Sequence, residues 1–441
     1  MKRATKCLVL AAGAGRRLRA KAQSKPLARL LGLPLIERVI RTARQAGLRD
    51  FYLVTGYQGA GLRQALGDGR RWGVQLHYLA NPHWQQGNGS SVLAAQDLLE
   101  EPFLLLMGDH LFDPQIITEL EDASLDGADL LLAVDRAPAG YCDLDDATKV
   151  RLQGDRIVDI GKELPSYDAF DTGIFLCSPR IFPALAATLP EDGSLSAGVR
   201  RLAQAGRAKA LEVKGRFWLD VDTPQALRAA EAALLDQLKK PTDGPVSRYL
   251  NRPFSLQLSR WLVRSRRLRP NHLSLLSFGL ALLGALLMAL PGYAALAAGG
   301  LLAQIASISD GCDGEIARLK FQASEFGGWL DAVLDRYADG LLIGGLSYHL
   351  WLIAPSAASW LWALAALSGV LLNSYTADKY DQFLKKRLEQ GRRPLRLGRD
   401  LRLLLLSLGA LLNLPFFTLV TLALLNHLEV LRRIIWLSRQ S

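Results

Sequence analysis

Cysteine is scarce in this chain of 441 residues. The four present, Cys7, Cys142, Cys177 and Cys312, are scattered, with no CxxC pair and no histidine nearby at ligand spacing. That argues against a disulfide framework and against a structural zinc site. Acid is outnumbered: 42 Asp and Glu stand against 53 Lys and Arg, a net charge of +11. Such a balance suits either nucleic acid or an anionic membrane surface. No RNA- or DNA-binding motif is present, and the Lys/Arg clusters flank apolar runs, which favours membrane orientation and phosphate binding. A cleavable leader is not expected either. The N-terminal apolar run in MKRATKCLVLAAGAGRR is short and ends at Arg16, Arg17 and Arg19, which suits a buried first strand. Membrane-length apolar runs are missing before about Leu273 and frequent after it, so the chain divides into a soluble α/β part and a membrane part.

What is present is concentrated in one stretch, Asp310 to Asp335, reading DGCDGEIARLKFQASEFGGWLDAVLD. Residues three and four apart share a helix face. Asp310 and Asp313 therefore point the same way, with Gly314 beside them and Ala317 one turn on. Asp331 and Asp335 repeat the pattern on a second helix, after a break at Gly327 and Gly328. Two helices that each present a carboxylate pair make a cage for hard divalent cations, which take oxygen ligands. A carboxylate in a membrane helix costs roughly 2.5–3.5 kcal/mol on insertion scales. Four cost on the order of 10 kcal/mol, comparable to the whole stability of a domain, and bound metal is the natural offset. An acidic patch on a soluble helix and an ion relay in a transporter are the competing explanations.

The pattern D-x-x-D-G-x-x-A-R, eight residues, G-x-x-x-D-x-x-x-D is filled by Asp310, Asp313, Gly314, Ala317, Arg318, Gly327, Asp331 and Asp335 with no mismatch. It resembles the signature of the CDP-alcohol phosphotransferases. The resemblance implies a six-helix membrane enzyme that moves a substituted phosphate from a CDP-alcohol to an acceptor hydroxyl and releases CMP. It also implies Mg²⁺, with Mn²⁺ as the alternative, at Asp310, Asp313, Asp331 and Asp335, where two metals would clamp the CDP pyrophosphate. Gly314, Ala317, Arg318 and Gly327 would line the nucleotide. Asp335 is the candidate base for the acceptor hydroxyl.

The first half opens with a strand-length apolar run, Cys7–Ala11, then Ala12-Gly13-Ala14-Gly15-Arg16-Arg17-Leu18 and Ser24-Lys25-Pro26-Leu27. Glycine after a strand lets backbone N–H groups approach a phosphate. A Walker A needs G-K-[ST], which is absent, and Leu18 stands where a dinucleotide fingerprint needs its third glycine. Two cations follow instead, Arg17 and Lys25. They suit attack at the α-phosphate of a triphosphate, where charge builds on leaving pyrophosphate. An ordinary tight turn is the plainer explanation of the glycines alone. The longer string L-A-A-G-x-G-x-R-L followed by K-P-L resembles the sugar-phosphate nucleotidyltransferases, with Arg16 where that family usually has Thr or Ser. Leu10, Ala11, Ala12, Gly13, Gly15 and Lys25 are then expected at the nucleotide.

Alternating short strands and helices (a helix over Leu35–Ala46, strands at Phe51–Thr55 and Val74–Leu79) predict a doubly wound, mostly parallel sheet. Asn81-Pro82 and Gly87-Asn88-Gly89-Ser90-Ser91 read as a polar turn opening a helix at Val92. Small polar residues there either cap the helix or read a base edge, and the resemblance places Asn88, Gly89 and Ser90 on base and ribose. Phe103–Met107 is an apolar strand ending in Gly108-Asp109-His110. A carboxylate at the C-terminal end of a sheet strand lies where such folds bind ligands. By the resemblance Asp109 is the magnesium aspartate, and Trp218-Leu219-Asp220-Val221-Asp222-Thr223-Pro224 supplies its partner, with Asp222 preferred over Asp220. An N-cap before Pro224 is the plainer role. No role is assigned to His110. Lys162 and Asp171 are expected on the acceptor side, Lys162 on the incoming phosphate and Asp171 on polyol hydroxyls. A surface lysine and a turn aspartate are their bland counterparts.

Ala229–Lys240 reads as an amphipathic helix closing the soluble part, and Pro241–Pro245 as a break. Val246–Leu268 interleaves apolar residues with arginines, as an interfacial helix does. Arg269-Pro270-Asn271 precedes the first of six expected spans: about 272–291, 294–318, 326–353, 357–376, 400–414 and 416–435. The division is therefore 1–236 (nucleotidyltransferase), 237–268 (linker and interfacial helix) and 269–441 (membrane domain). The basic loop from Lys379 to Arg402, with Lys385-Lys386-Arg387 and Arg392-Arg393, is expected to stay inside. That places both termini and both active sites on the cytoplasmic face of the cell membrane. The same loop is a candidate for an acceptor phosphate.

The fold class read from the chain is thus an α/β doubly wound nucleotidyltransferase domain followed by an all-α six-helix transmembrane domain. The order of the two parts resembles the bifunctional inositol-1-phosphate cytidylyltransferase and di-myo-inositol-phosphate phosphate synthase family. The strings Tyr167–Phe175, Gly244–Arg252 and Asp378-Lys379-Tyr380 are similar to that family as well. The resemblance implies CTP, inositol 1-phosphate and CDP-inositol as small-molecule partners, no nucleic acid, and pairing of two copies through the membrane domain. A phospholipid synthase with a different alcohol or a lipid acceptor is the alternative, and a transporter with a nucleotide-sensing domain is the third reading.

Overall fold

The structure is a computed structural model describing residues 5–18, 24–138, 146–189, 191–240, 243–384 and 397–438. Its contacts divide the chain into two compact units, Met1–Ala233 and Leu234–Ser441.

The first unit is built on a nine-stranded sheet. Its strands in chain order are β1 (Lys6–Ala11), β2 (Asp50–Thr55), β3 (Gln75–Ala80), β4 (Phe103–Met107), β5 (Leu130–Asp135), β6 (Lys149–Gln153), β7 (Arg156–Gly161), β8 (Ala169–Cys177) and β9 (Ala208–Glu212), and their order across the sheet is β3-β2-β1-β4-β8-β5-β9-β7-β6. Helices α1 (Leu35–Gln45), α2 (Gly59–Leu66), α3 (Asn88–Leu93), α4 (Pro114–Ala123), α5 (Ile181–Thr188), α6 (Leu195–Gln204) and α7 (Pro224–Asp236) accompany it. Both faces are covered, as the continuous apolar runs require. Along β1, Cys7 and Val9 enter one core while Leu8 enters the other. Along β4, Leu104 and Leu106 separate from Phe103 and Leu105 in the same way. That is the period-2 alternation of a strand.

Three expectations need correction. The sheet is parallel where β3, β2, β1 and β4 pair, but β8 runs antiparallel to both β4 and β5, so the whole is mixed. Helix α3 begins at Asn88 rather than Val92, and α7 begins at Pro224 rather than Ala229. Gly87, at φ +105°, marks the turn just before Asn88, and Pro at a helix start suits its fixed φ.

The second unit is helical. Helix α8 (Arg252–Leu262) follows a π-turn at Ser247–Asn251. Then come α9 (Pro270–Met288), α10 (Tyr293–Leu319), α11 (Glu325–Ile353), α12 (Ala357–Leu384), α13 (Arg399–Leu411) and α14 (Pro415–Ser438). Among the described residues three segments are long and apolar enough to cross a membrane: Pro270–Met288, Tyr293–Leu319 and Ala357–Lys379. Small residues let these helices approach closely. A Cβ on Gly299 would stand 2.5 Å from the carbonyl oxygen of Gly284. The loop residues Lys385, Lys386, Arg387, Arg392 and Arg393, and Cys142, lie outside the described residues.

Candidate active sites

In the first unit the functional side chains gather where β1 and β4 end. Gly15 has φ +51°, and a side chain there would collide with Lys25, so glycine lets the loop fold onto the lysine. The carbonyl of Leu10 accepts from Gly108 N–H (2.9 Å) and that of Ala12 from Tyr57 N–H (3.0 Å). These bonds fix the strand end, while Gly13 faces open space. Beyond β4 the chain makes a short ribbon in which His110–Phe112 pairs with Trp218–Asp220, setting His110 opposite Asp220. The buried indole of Trp218 donates to Asp135 (2.7 Å), and Val221 N–H donates to the Asp109 carbonyl (3.2 Å).

Lys25 Nζ lies 2.5 Å from Asp109 and 3.5 Å from Asp220. His110 Nδ1 is 2.8 Å from Asp109 and 3.6 Å from Asp220. Burial pulls the Lys25 pKa down, but the carboxylates of Asp109 and Asp220 outweigh it and hold the ammonium above its ordinary value. Burial also opposes charge on His110, and Asp220 and Asp109 lift its pKa to about 9. Burial raises the pKa of Asp109, yet Lys25 and His110 hold it below the usual carboxylate range. Asp109, His110 and Asp220 each bring one potential ligand atom within 4.8 Å of the others, and the two carboxylates suit a hard cation. Asp222 stands close enough to act electrostatically on Lys25 and Asp220. It accepts from Arg17 (2.9 Å), which also bonds Asp146 (2.7 Å), and Asp146 in turn accepts from Lys162 (2.6 Å). Thr223, not Asp222, caps α7 through Ala226 N–H.

The turn assigned to the base is tightly engaged. The Asn88 side-chain oxygen accepts from Leu195 N–H (2.7 Å). Gly89 N–H donates to the Gly193 carbonyl (2.9 Å). The Ser90 hydroxyl is buried against Asn81, His83 and Gly87. Asp171 accepts from Gly173 N–H (2.7 Å), and burial pushes its pKa up to about 6.

In the second unit α10 and α11 bring Asp310, Asp331 and Asp335 together, with ligand oxygens within 4.8 Å. Asp313 accepts from Ser274 of α9 (2.5 Å) and from Gly314 N–H, and its side chain also meets that of Asp331. Ser324 caps α11 at Gly327 N–H (3.0 Å), and a Cβ on Gly327 would stand 3.4 Å from the Asn271 side-chain oxygen. Ala317 is buried, and Arg318 lies one turn beyond Gly314, with Nη1 3.5 Å from where a Gly314 Cβ would be. Arg399 enters from α13 and spans the cage: 3.0 Å to Asp310, 2.7 Å to Asp335 and 3.1 Å to Asp339. An all-oxygen set of carboxylates fits Mg²⁺ or a similar hard cation. Sequence reasoning missed His110, Asp146, Asp339 and Arg399; of these only Asp339, four residues after Asp335 on α11, continues a helical spacing.

These two constellations define a nucleotidyltransferase unit followed by a CDP-alcohol phosphotransferase unit. Residues 7–209 match the family model of the MobA-like NTP transferase domain, and residues 267–433 match that of CDP-alcohol phosphatidyltransferase. Over 98% of its length the chain is 42% identical to the "Bifunctional IPC transferase and DIPP synthase" of Rubrobacter xylanophilus, covering 96% of that protein. It is 32% identical to the protein of the same description from Thermococcus kodakarensis, over 95% of this chain and 94% of that one. A solved structure, the inositol-1-phosphate CTP transferase from T. maritima, aligns with 55% of this chain and 99% of its own at 28% identity and a TM-score of 0.48. The chain belongs to the family of bifunctional IPC transferase and DIPP synthases, and it is a transferase.

Proposed function

We propose that this chain makes CDP-inositol from CTP and inositol 1-phosphate and then consumes it. The observation that carries the reading is that both charged constellations occur in one chain that keeps its identity to a two-activity relative across both halves. In the first step a phosphate oxygen of inositol 1-phosphate attacks the α-phosphorus of CTP in line. The bond to the bridging oxygen breaks and pyrophosphate leaves. Arg17 and Lys25 stabilise the charge that develops on it. Lys162 holds the incoming phosphate and Asp171 a polyol hydroxyl. Asp109, with Asp220 or Asp222, would hold Mg²⁺, which would screen the phosphate charge.

In the second step a hydroxyl of another inositol 1-phosphate gives its proton to Asp335 and attacks the inositol-bearing phosphorus of CDP-inositol. CMP leaves, and the product is di-myo-inositol phosphate phosphate. Arg318 binds the nucleotide phosphates. Arg399, ion-paired with Asp335 (2.7 Å), orients the base. Asp310, Asp313, Asp331 and Asp335 supply the metal ligands.

The second unit spans the membrane six times, with both termini and both sites facing the cytoplasm, and copies pair through it. Cysteine-labelling accessibility in vesicles tests the orientation, and crosslinking in detergent tests the pairing. The decisive assay gives detergent-solubilised protein CTP, Mg²⁺ and inositol 1-phosphate and follows ³¹P NMR. The expected products are pyrophosphate, CMP and a water-soluble phosphodiester. Pyrophosphate and CDP-inositol without CMP would overturn the second step in favour of a different acceptor, and no turnover of CTP would overturn the first.

A further inference from the structure

The carboxylate end of α10 has a second face, opposite the cage, and that face carries a buried ion triad. Arg252, at the start of α8, donates through Nε and Nη2 to Asp243 (2.9 and 3.1 Å) and through Nη1 to Glu315 (2.6 Å). The Ser255 hydroxyl also donates to Glu315 (2.6 Å). The side chains of Arg252 and Asp243 are 10% exposed and that of Glu315 is fully buried. Above the triad, Asn251 donates to Ser307 (3.1 Å) and accepts from Gln304 (2.9 Å), and the Cys312 thiol reaches the Ser255 carbonyl (3.6 Å). Helix α8 is thus bonded along α10 from Gln304 to Glu315. A Cβ at Gly311 would stand 3.5 Å from Ser255 and 3.8 Å from Arg252.

A buried ion pair is a poor way to add stability, because desolvation offsets most of the attraction, and well-packed apolar residues often do as well. What it supplies is direction. Glu315 lies two residues after Asp313 and three before Arg318, so rotation of α10 about its axis would move all of them together. We propose that Arg252, held between Asp243 and Glu315, is a positioning residue for the CDP-alcohol step: it fixes the rotation of α10 that presents Asp310, Asp313 and Arg318. The inference rests on the function proposed above for the second unit.

The test compares wild type with Glu315→Gln, which keeps the shape, and with the apolar pair Arg252→Met/Glu315→Leu. The readouts are thermal unfolding in detergent, pyrophosphate release from CTP, CMP release from supplied CDP-inositol, and the Mg²⁺ midpoint for thermal stabilisation. The expected result is folded protein with unchanged pyrophosphate release. CMP release should fall on the order of 10²-fold, the size of effect a misplacement of about 1 Å produces, and the Mg²⁺ midpoint should rise. Unchanged CMP release and Mg²⁺ midpoint in a folded apolar pair would overturn the proposal. So would unfolding of both variants, since the triad would then be part of the fold and nothing more. If wild type releases no CMP from CDP-inositol, the function proposed for the second unit fails, and the Mg²⁺ midpoint still decides the role of Arg252.

Discussion

The two units differ less in their cores than in their surfaces. The first hides its largest apolar side chains, with Phe51, Phe103 and Phe175 fully enclosed between sheet and helices. The second buries leucines as well, Leu342, Leu346 and Leu419 among them, but interleaves them with alanine, serine and charge, and leaves Leu275, Leu283, Leu286, Leu301, Leu361 and Leu364 on its outer surface. Water explains the first pattern, since removing apolar surface from it is the main driving force for folding. A lipid surround explains the second. Lipid tails are as apolar as leucine, so helices associate through close packing and internal hydrogen bonds instead. The lesson is that charge inside the second unit needs an offset, which the Arg399 ion pairs supply in part. Intramembrane carboxylates are costly, and they persist where they bind or react.

The largest expected effect sharpens that contrast. Asp335→Asn should abolish most CMP release, on the order of 10²–10⁴-fold for loss of a general base, while pyrophosphate release continues. Equal loss of both would mean the two steps are not separable by site. Next, Lys25→Met should reduce pyrophosphate release on the order of 10²–10³-fold, the scale for one transition-state charge donor. Supplied CDP-inositol should still be turned over at the wild-type rate. Third, Phe175→Ala should cost about 3–5 kcal/mol by denaturant unfolding of the first unit. Leu283→Ala, with its side chain on the outer surface of α9, should stay within about 0.5 kcal/mol. Similar losses at both positions would break the comparison.

The smallest effect is a pH dependence. Burial lifts the Asp171 pKa from the ordinary carboxylate value to about 6. The folded state thus holds this proton more tightly than the unfolded one, so the associated stability is present below about pH 4 and lost as pH rises through about 6. Asp171→Asn carries no such proton. Its melting temperature relative to wild type should therefore climb between those limits in metal-free buffer. A constant difference would show that the carboxylate is better solvated than its burial implies.

How much of this could be read from the chain follows from spacing. Asp310, Asp313, Asp331 and Asp335 were legible because helices convert intervals of three and four into a shared face. Gly15 and Lys25 were legible as a loop and its cation. Arg399 was not. It reaches the cage from 64 residues beyond Asp335, and an arginine beside a basic loop looks like a topology signal. Asp146 was hidden for the same reason, lying 129 residues from Arg17. The antiparallel insertion of β8 gives no local sign either, since a buried strand has the same apolar run in either direction. Asn88 was located, yet half of its amide is spent on a contact to Leu195 that no local pattern announces.

That last contact bears on redesign. The turn at Asn88 and Gly89 and the segment Gly193–Leu195 hold each other through two bonds across more than a hundred residues of chain. A Cβ on Gly89 would stand 2.7 Å from the Gly193 carbonyl oxygen, so the pair leaves no room for drift. Anyone transplanting a different nucleobase preference into this protein should therefore move the two segments as one cassette. A swap of the first alone would remove the Asn88 oxygen that accepts from Leu195 N–H and leave that donor at the start of α6 without its partner.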